Sequence, residues 1–161
     1  MKPVDLTCTH LVRPAPEDVW DYVATRYFDH HVTWDPAITA MVKISPGPLG
    51  VGTVGEEVRR FGGRQRARFE VTAFDRPQRF AFHTTSGPFA LERCYSLAPA
   101  EGGTLLTFRF TMRPRGAARP VFPLVRGTVE RQVLANIARL ARLLDGPDVS
   151  RRPRACPWRP A

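Results

Sequence analysis

The 161-residue chain has little of several things, and each shortage excludes a class of protein. Cysteine occurs three times, at Cys8, Cys94 and Cys156, widely spaced and with no C-x-x-C pair. A disulfide framework and a structural zinc site are both unsupported by that spacing. No run of 18 or more apolar residues exists, so no membrane-spanning helix is expected. The first ten residues, MKPVDLTCTH, lack the apolar stretch of a secretory signal, which makes a cytoplasmic location the expectation. No phosphate-binding glycine loop, G-x-S-x-G, H-E-x-x-H or EF-hand loop is present, and no internal repeat. Neither a cofactor nor a metal is therefore expected.

Lysine is nearly missing as well: only Lys2 and Lys43 accompany the arginines in a formal net charge of +9. A basic balance is compatible with an anionic partner such as nucleic acid or a membrane surface. The preferred reading is a GC-rich coding sequence, which enriches Arg, Pro, Ala and Gly together. Four arginines, Arg151, Arg152, Arg154 and Arg159, lie after Gly146-Pro147. Basic residues are not interleaved with exposed aromatics along any strand, so a nucleic-acid platform is not expected.

What remains is ordinary globular composition, 43% hydrophobic and 24% charged, at a length suited to one domain. Val4–Val12 reads as a strand. Pro16-Glu17-Asp18 opens a short helix, with proline in the first turn and acids at the positive end of the dipole. A second short stretch, helical or irregular, runs from Arg26 to Trp34 and stops at Asp35-Pro36. The period then changes to two. Ile38, Ala40, Val42 and Ile44 alternate first, and further runs follow at Val51–Phe61, Gln65–Phe74, Arg79–Thr85, Phe89–Leu97 and Thr104–Arg113, separated by Gly, Pro and Asp turns. Phe122, Val125, Val129, Val133, Ile137, Leu140 and Leu144 then step by three or four, the pattern of an amphipathic helix, with Gly127 placed to kink it. Residues 1–146 are read as one domain and 147–161 as a flexible basic Pro/Arg-rich tail.

A sheet with one apolar face needs a cover, and the C-terminal helix is the only element long enough. The expected class is α+β: a curved antiparallel sheet of about seven strands around that helix, two short helices after the first strand, and an apolar cavity between sheet and helix.

The sequence resembles the START-like SRPBCC superfamily, in its polyketide cyclase/dehydrase and lipid transport branch. The resemblance runs from about Val4 to Gly146. It rests on Ala15-Pro16-Glu17-Asp18-Val19-Trp20, on Trp34-Asp35-Pro36-Ala37-Ile38, on Gly50-Val51-Gly52-Thr53, on the stretch from Glu70 to Pro77, and on Gly102-Gly103-Thr104, five motifs in order. It implies a helix-grip fold with an internal cavity for a small hydrophobic molecule. These motifs are structural, and the superfamily spans many activities.

On the inward faces the expected wall comprises Phe69, Phe80, Phe82, Thr84, Leu91, Phe108, Phe110 and Met112 from the sheet and Val133 and Ile137 from the helix. Polar residues in phase with that wall are the informative ones. Arg93 is in phase with Leu91 and Tyr95, and Glu56 with Val54 and Val58. A buried Arg93 needs a carboxylate or a ligand anion. One reading gives Arg93 a substrate oxygen to hold, Tyr95 a proton or hydrogen bond to donate, and Glu56 the part of orienter or base. The other makes Glu56–Arg93 a structural pair, or turns Arg93 to solvent. His30, His31, Trp34 and Asp35 form a second cluster, which the resemblance puts at the cavity mouth. Trp34 is expected over the cavity, the histidines in solvent in preference to acting as a base.

Three functions follow as expectations. The first is a carrier or sensor of a small hydrophobic or aromatic molecule. The second is a cyclase, aromatase or dehydratase of polyketide-like substrates, as the family name implies. The third is a basic protein that contacts RNA or a protein partner. The oligomeric state is open.

Overall fold

A computed structural model describes residues 2–146; the tail expected at 147–161 lies outside the described residues. The chain order is β1 (Val4–Val12), α1 (Pro16–Trp20) continued by a π-turn (Asp21–Thr25), α2 (Tyr27–Trp34), β2 (Ile38–Lys43), β3 (Val54–Arg60), β4 (Arg64–Asp75), β5 (Arg79–Thr84), β6 (Phe89–Ala100), β7 (Gly103–Pro114), a 3-10 turn (Gly116–Ala118) and α3 (Phe122–Leu144). The seven strands form one antiparallel sheet in the order β1-β7-β6-β5-β4-β3-β2. This is the α+β helix-grip architecture expected from the sequence.

The turns follow from residue chemistry. Gly62 and Gly63 close the β3–β4 hairpin and Gly102 and Gly103 the β6–β7 hairpin, all with positive φ. From β4 to β7 the alternation is consistent: Phe69, Val71, Phe80, Phe82, Leu91, Tyr95, Leu97, Leu106, Phe108, Phe110 and Met112 are all buried on the inner face. α3 runs roughly 35 Å across that face and passes Gly127 as one continuous helix.

Burial along α3 is uneven. From Phe122 to Ala135 only Phe122 and Val129 are buried; from Asn136 onward Asn136, Ile137, Leu140, Ala141 and Leu144 are. The C-terminal half is also tied by hydrogen bonds. Arg139 Nη1 donates to the Trp34 carbonyl at 3.2 Å, and the Arg13 backbone N–H donates to Asp145 Oδ1 at 2.7 Å.

Two strands depart from the expected faces. In β2 the register shifts between Ile38 and Ala40, so Ile38 is buried while Val42 and Ile44 are exposed; the four do not share one face. In β3, Glu56 does not face inward with Val54 and Val58. It stays on the outer face beside Arg66 (3.3 Å) and Arg68 (3.4 Å), and its neighbour Glu57 turns in, 1% exposed. An amphipathic reading inverts here because the inward positions are the charged ones, and they satisfy one another.

Candidate functional site

A narrow cleft opens between the sheet and α3, with about 50 Å³ of free space. Of the expected wall, Trp34, Leu91, Phe108, Phe110, Met112, Val133 and Ile137 line it, together with Arg93 and Tyr95. Phe69, Phe80 and Phe82 do not. Tyr27 of α2, fully buried, packs over all three with ring centroids 6.0, 5.0 and 5.1 Å away and fills that end of the grip. Thr84 is also outside the lining: its hydroxyl donates to the Phe89 carbonyl and accepts from the Leu91 N–H, both at 2.9 Å.

Residues not singled out from the sequence complete the wall. Phe61 and Gln65 come from the β3–β4 hairpin, Phe89 from the start of β6, and Val129, Gln132 and Asn136 from α3. Arg59 comes from β3. His31 and Asp35, of the second cluster read from the sequence, also line the cleft, from α2 and its end. His31, expected in solvent, is 2% exposed and stacks on Trp34 at 5.1 Å and 22°. The preceding residue, His30, is buried against Tyr22 instead, at 4.2 Å.

The polar part of the wall is a run of alternating charges. His31 Nε2 lies 3.8 Å from Asp35 Oδ2, which accepts a 2.9 Å hydrogen bond from Arg59 Nη2. Arg59 Nε lies 3.1 Å from Glu57 Oε1, and Glu57 Oε2 lies 3.7 Å from Arg93 Nη1. The Ala37 N–H donates to Asp35 Oδ1 at 3.2 Å. Glu57 is not in the lining; it stands behind Arg59 and Arg93. Its two oxygens have ion-pair distances but accept no hydrogen bond among the described residues, and Arg93 Nη1 donates none. The Arg93 guanidinium also lies 5.5 Å from the Phe82 ring and 5.8 Å from that of Phe110.

Protonation states follow from these neighbours. Burial, the largest single influence, works against the Arg93 charge, but Glu57 foremost, with Tyr27, Asp35 and Tyr95, together outweigh it and hold the group above the ordinary arginine value. Burial pushes the phenols of Tyr95 and Tyr27 up, so both stay protonated and Tyr95 is a donor. Burial, with Arg93 next, drives His31 well below its usual range, so its imidazole is neutral at pH 7. Desolvation opposes the charge of Asp35, yet Arg59 foremost, with His31, Arg93 and the Ala37 N–H, together bring it below the ordinary carboxylate value.

The wall thus presents two fixed cations, a phenol and an indole N–H as donors, and one neutral imidazole whose Nδ1 has no partner among the described residues. It suits an apolar molecule carrying a carbonyl-type oxygen. No group of three or more His, Cys, Asp or Glu that could hold a metal ion occurs among the described residues. No helix among them is long and apolar enough to cross a membrane.

A family model described as polyketide cyclase/dehydrase and lipid transport matches residues 3–145. No curated protein matches the sequence. Solved structures with the same fold include Ara h 8.0201, with a TM-score of 0.67 at 15% identity over 89% of this chain and 98% of that one. TTHA0849 from Thermus thermophilus gives 0.69 at 17% identity, over 88% and 94%. The Zhui aromatase/cyclase from Streptomyces sp. R1128 gives 0.70 at 14% identity, over 89% and 94%. At these identities the likeness concerns the fold.

Proposed function

The chain belongs to the polyketide cyclase/dehydrase and lipid transport family, and from that premise we propose that it binds a small apolar or aromatic molecule bearing a carbonyl oxygen, as a carrier or sensor. Arg93 and Tyr95 hold the oxygen. Trp34, Phe108, Phe110 and Ile137 enclose the apolar body. The observation that carries this reading is Arg93 itself: a charged side chain 5% exposed, lining the cleft where its polar and apolar parts meet, with an Nη1 that stands 3.7 Å from Glu57 and donates no hydrogen bond among the described residues. A buried donor left unmade is costly, and a guest oxygen relieves that cost.

Sites for drug-sized ligands run to about 300–1,000 Å³, so a guest must displace side chains. The lightly buried first half of α3 is where the cleft can widen.

The test compares 2-acetylnaphthalene with naphthalene, read by tryptophan fluorescence and calorimetry. The ketone is expected to bind more tightly, and Tyr95→Phe to reduce that preference. The double variant Arg93→Leu/Glu57→Leu, which strands no charge, should erase it, a loss of about 10- to 100-fold for the ketone alone. Equal affinity for both probes in the unmodified protein would sink the reading.

A second reading, cyclase-type chemistry, is favoured by one observation: the neutral His31 imidazole lines the same cleft as Arg93 and Tyr95. The imidazole would take the α-proton of a ketone while Arg93 and Tyr95 hold the enolate oxygen. The enolate carbon would then add to a second carbonyl, and the proton return to the new alkoxide. Exchange of the α-hydrogens of benzoylacetone into deuterated buffer tests it. Acceleration by the protein, lost in His31→Gln, is expected; no acceleration leaves the carrier reading alone.

A further inference from the structure

One end of the molecule combines arginines and exposed apolar side chains around the cleft opening. Three segments meet there: the β3–β4 hairpin, the turn before β6, and the stretch from the end of β7 into the first turns of α3. Phe61, Phe89 and Phe122 join them, with ring centroids 6.1 Å apart in each step. The Arg115 N–H donates to the Pro88 carbonyl at 2.8 Å, and its Nη2 to the Thr84 carbonyl at 3.2 Å.

The charge of this end has one sign. The sequence holds no carboxylate from 58 to 69, from 84 to 91, or from 103 to 129. Arg60, Arg64, Arg115 and Arg119 are exposed there. The nearest acid on α3, Glu130, is taken up by Arg126 at 2.8 Å. Amid these arginines, Val121 is 52% and Leu124 84% exposed, flanked by the exposed Pro120 and Pro123. Leu124 lies off the stripe of α3 that faces the sheet, and it is twice as exposed as Leu134, the other exposed leucine of that helix.

We propose that this end is a docking surface for an anionic lipid bilayer, with Val121 and Leu124 entering the interface and Arg60, Arg64, Arg115 and Arg119 lying among the phosphates. Guanidiniums on long apolar stems suit that depth, and apolar area plus basic charge is the combination an anionic interface rewards. A nucleic acid would take the arginines but gain nothing from an isolated leucine. An acidic protein would need a shaped apolar recess opposite it, and two protruding side chains offer none. Phe61 and Phe89 belong both to this end and to the cleft wall, so docking would face the opening toward an apolar phase. The docking itself does not depend on what the cleft holds.

The experiment is sedimentation of the full chain with vesicles of phosphatidylcholine alone, or with one quarter phosphatidylglycerol. Tail charge is removed by the background substitutions R151Q, R152Q, R154Q and R159Q. Binding to the anionic vesicles only, weakened by added salt, is expected. Each arginine is worth about five-fold near such a surface, so Arg115→Ser/Arg119→Ser should lose about 25-fold. Leu124→Asp should lose about ten-fold, with thermal unfolding unchanged. Retention that survives Leu124→Asp, or equal retention by soluble poly-glutamate, would assign the surface to an acidic polymer and overturn the proposal. Absence of vesicle binding in the tail-neutral background would overturn it too.

Discussion

Glu57 Oε2 lies 3.7 Å from Arg93 Nη1, with the two side chains 2% and 5% exposed. Their neighbour Glu56 shares the strand but faces the other way, between arginines that are 60% and 67% exposed. One peptide unit therefore separates a carboxylate that holds a cation inside the protein from one that decorates its surface.

Glu57→Ala strands Arg93 in the interior without its carboxylate. A loss of about 3–5 kcal/mol is expected in urea unfolding. Replacing both by leucine should recover most of it, since the desolvation of two charges disappears with the pair. A single variant as stable as the unmodified protein would mean that Arg93 has another partner.

Glu56→Gln is expected to cost only about 0.2–1 kcal/mol by the same assay, because solvent and salt already screen its pairs with Arg66 and Arg68. A cost matching that of Glu57→Ala would reverse the assignment of the two faces.

Stability should fall on acidification, and His31 sets the upper window. Its folded value lies well below the ordinary 6.5, so the unfolded chain takes up a proton near pH 6.5 that the folded chain refuses. Arg93, Arg59 and Asp35 are the charged groups that bear on it. Stability is full above about pH 6.5 and declines below it, with a slope approaching about 1.4 kcal/mol per pH unit. His30, also lowered by burial, adds in the same window. Asp35 joins below its ordinary 3.8, where the unfolded chain protonates first. Urea midpoints at pH 8, 7, 6 and 5 test this, and His31→Gln should flatten the curve. A flat curve for the unmodified protein would contradict a buried neutral imidazole.

Gly55→Ala should destabilise by about 1–3 kcal/mol through overpacking. A Cβ there would press into the Phe69 ring and reach within 2.7 Å of Phe28, the α2 residue whose ring stacks on Phe69 at 5.8 Å. Thermal unfolding reads the shift, and Phe28→Ala in the same chain should relieve part of it.

Much of the fold was legible because its signals are local. Proline and glycine punctuate the strands, and from Phe69 to Met112 one face is dry and the other wet, so a period of two survives. The step from seven strands to a helix across them needed only a long amphipathic segment. The site was less legible, for two reasons. Glu57 and Arg59 are polar residues facing inward, so β3 reads upside down by the rule that worked on its neighbours. Their matched signs two residues apart on one strand were the available clue, along with Asp35 ahead of Pro36. The second reason is Tyr27. Periodicity gives the face a side chain takes but not how far it reaches, and Tyr27 reaches far enough to turn Phe69, Phe80 and Phe82 from expected cleft wall into its own packing partners.

The unequal seating of α3 bears on time as well as on shape. Its last ten residues are anchored through Asn136, Ile137, Leu140 and Leu144 and through Arg139 on the Trp34 carbonyl, whereas its first half rests mainly on Phe122 and Val129. Opening of that first half is a sub-global event, cheaper than unfolding the sheet. Under the proposed binding role, how long a guest stays would be governed by a handful of contacts around Phe122 and Val129. Residence time and overall stability become separately adjustable, and a substitution that weakens one need leave no mark on the other.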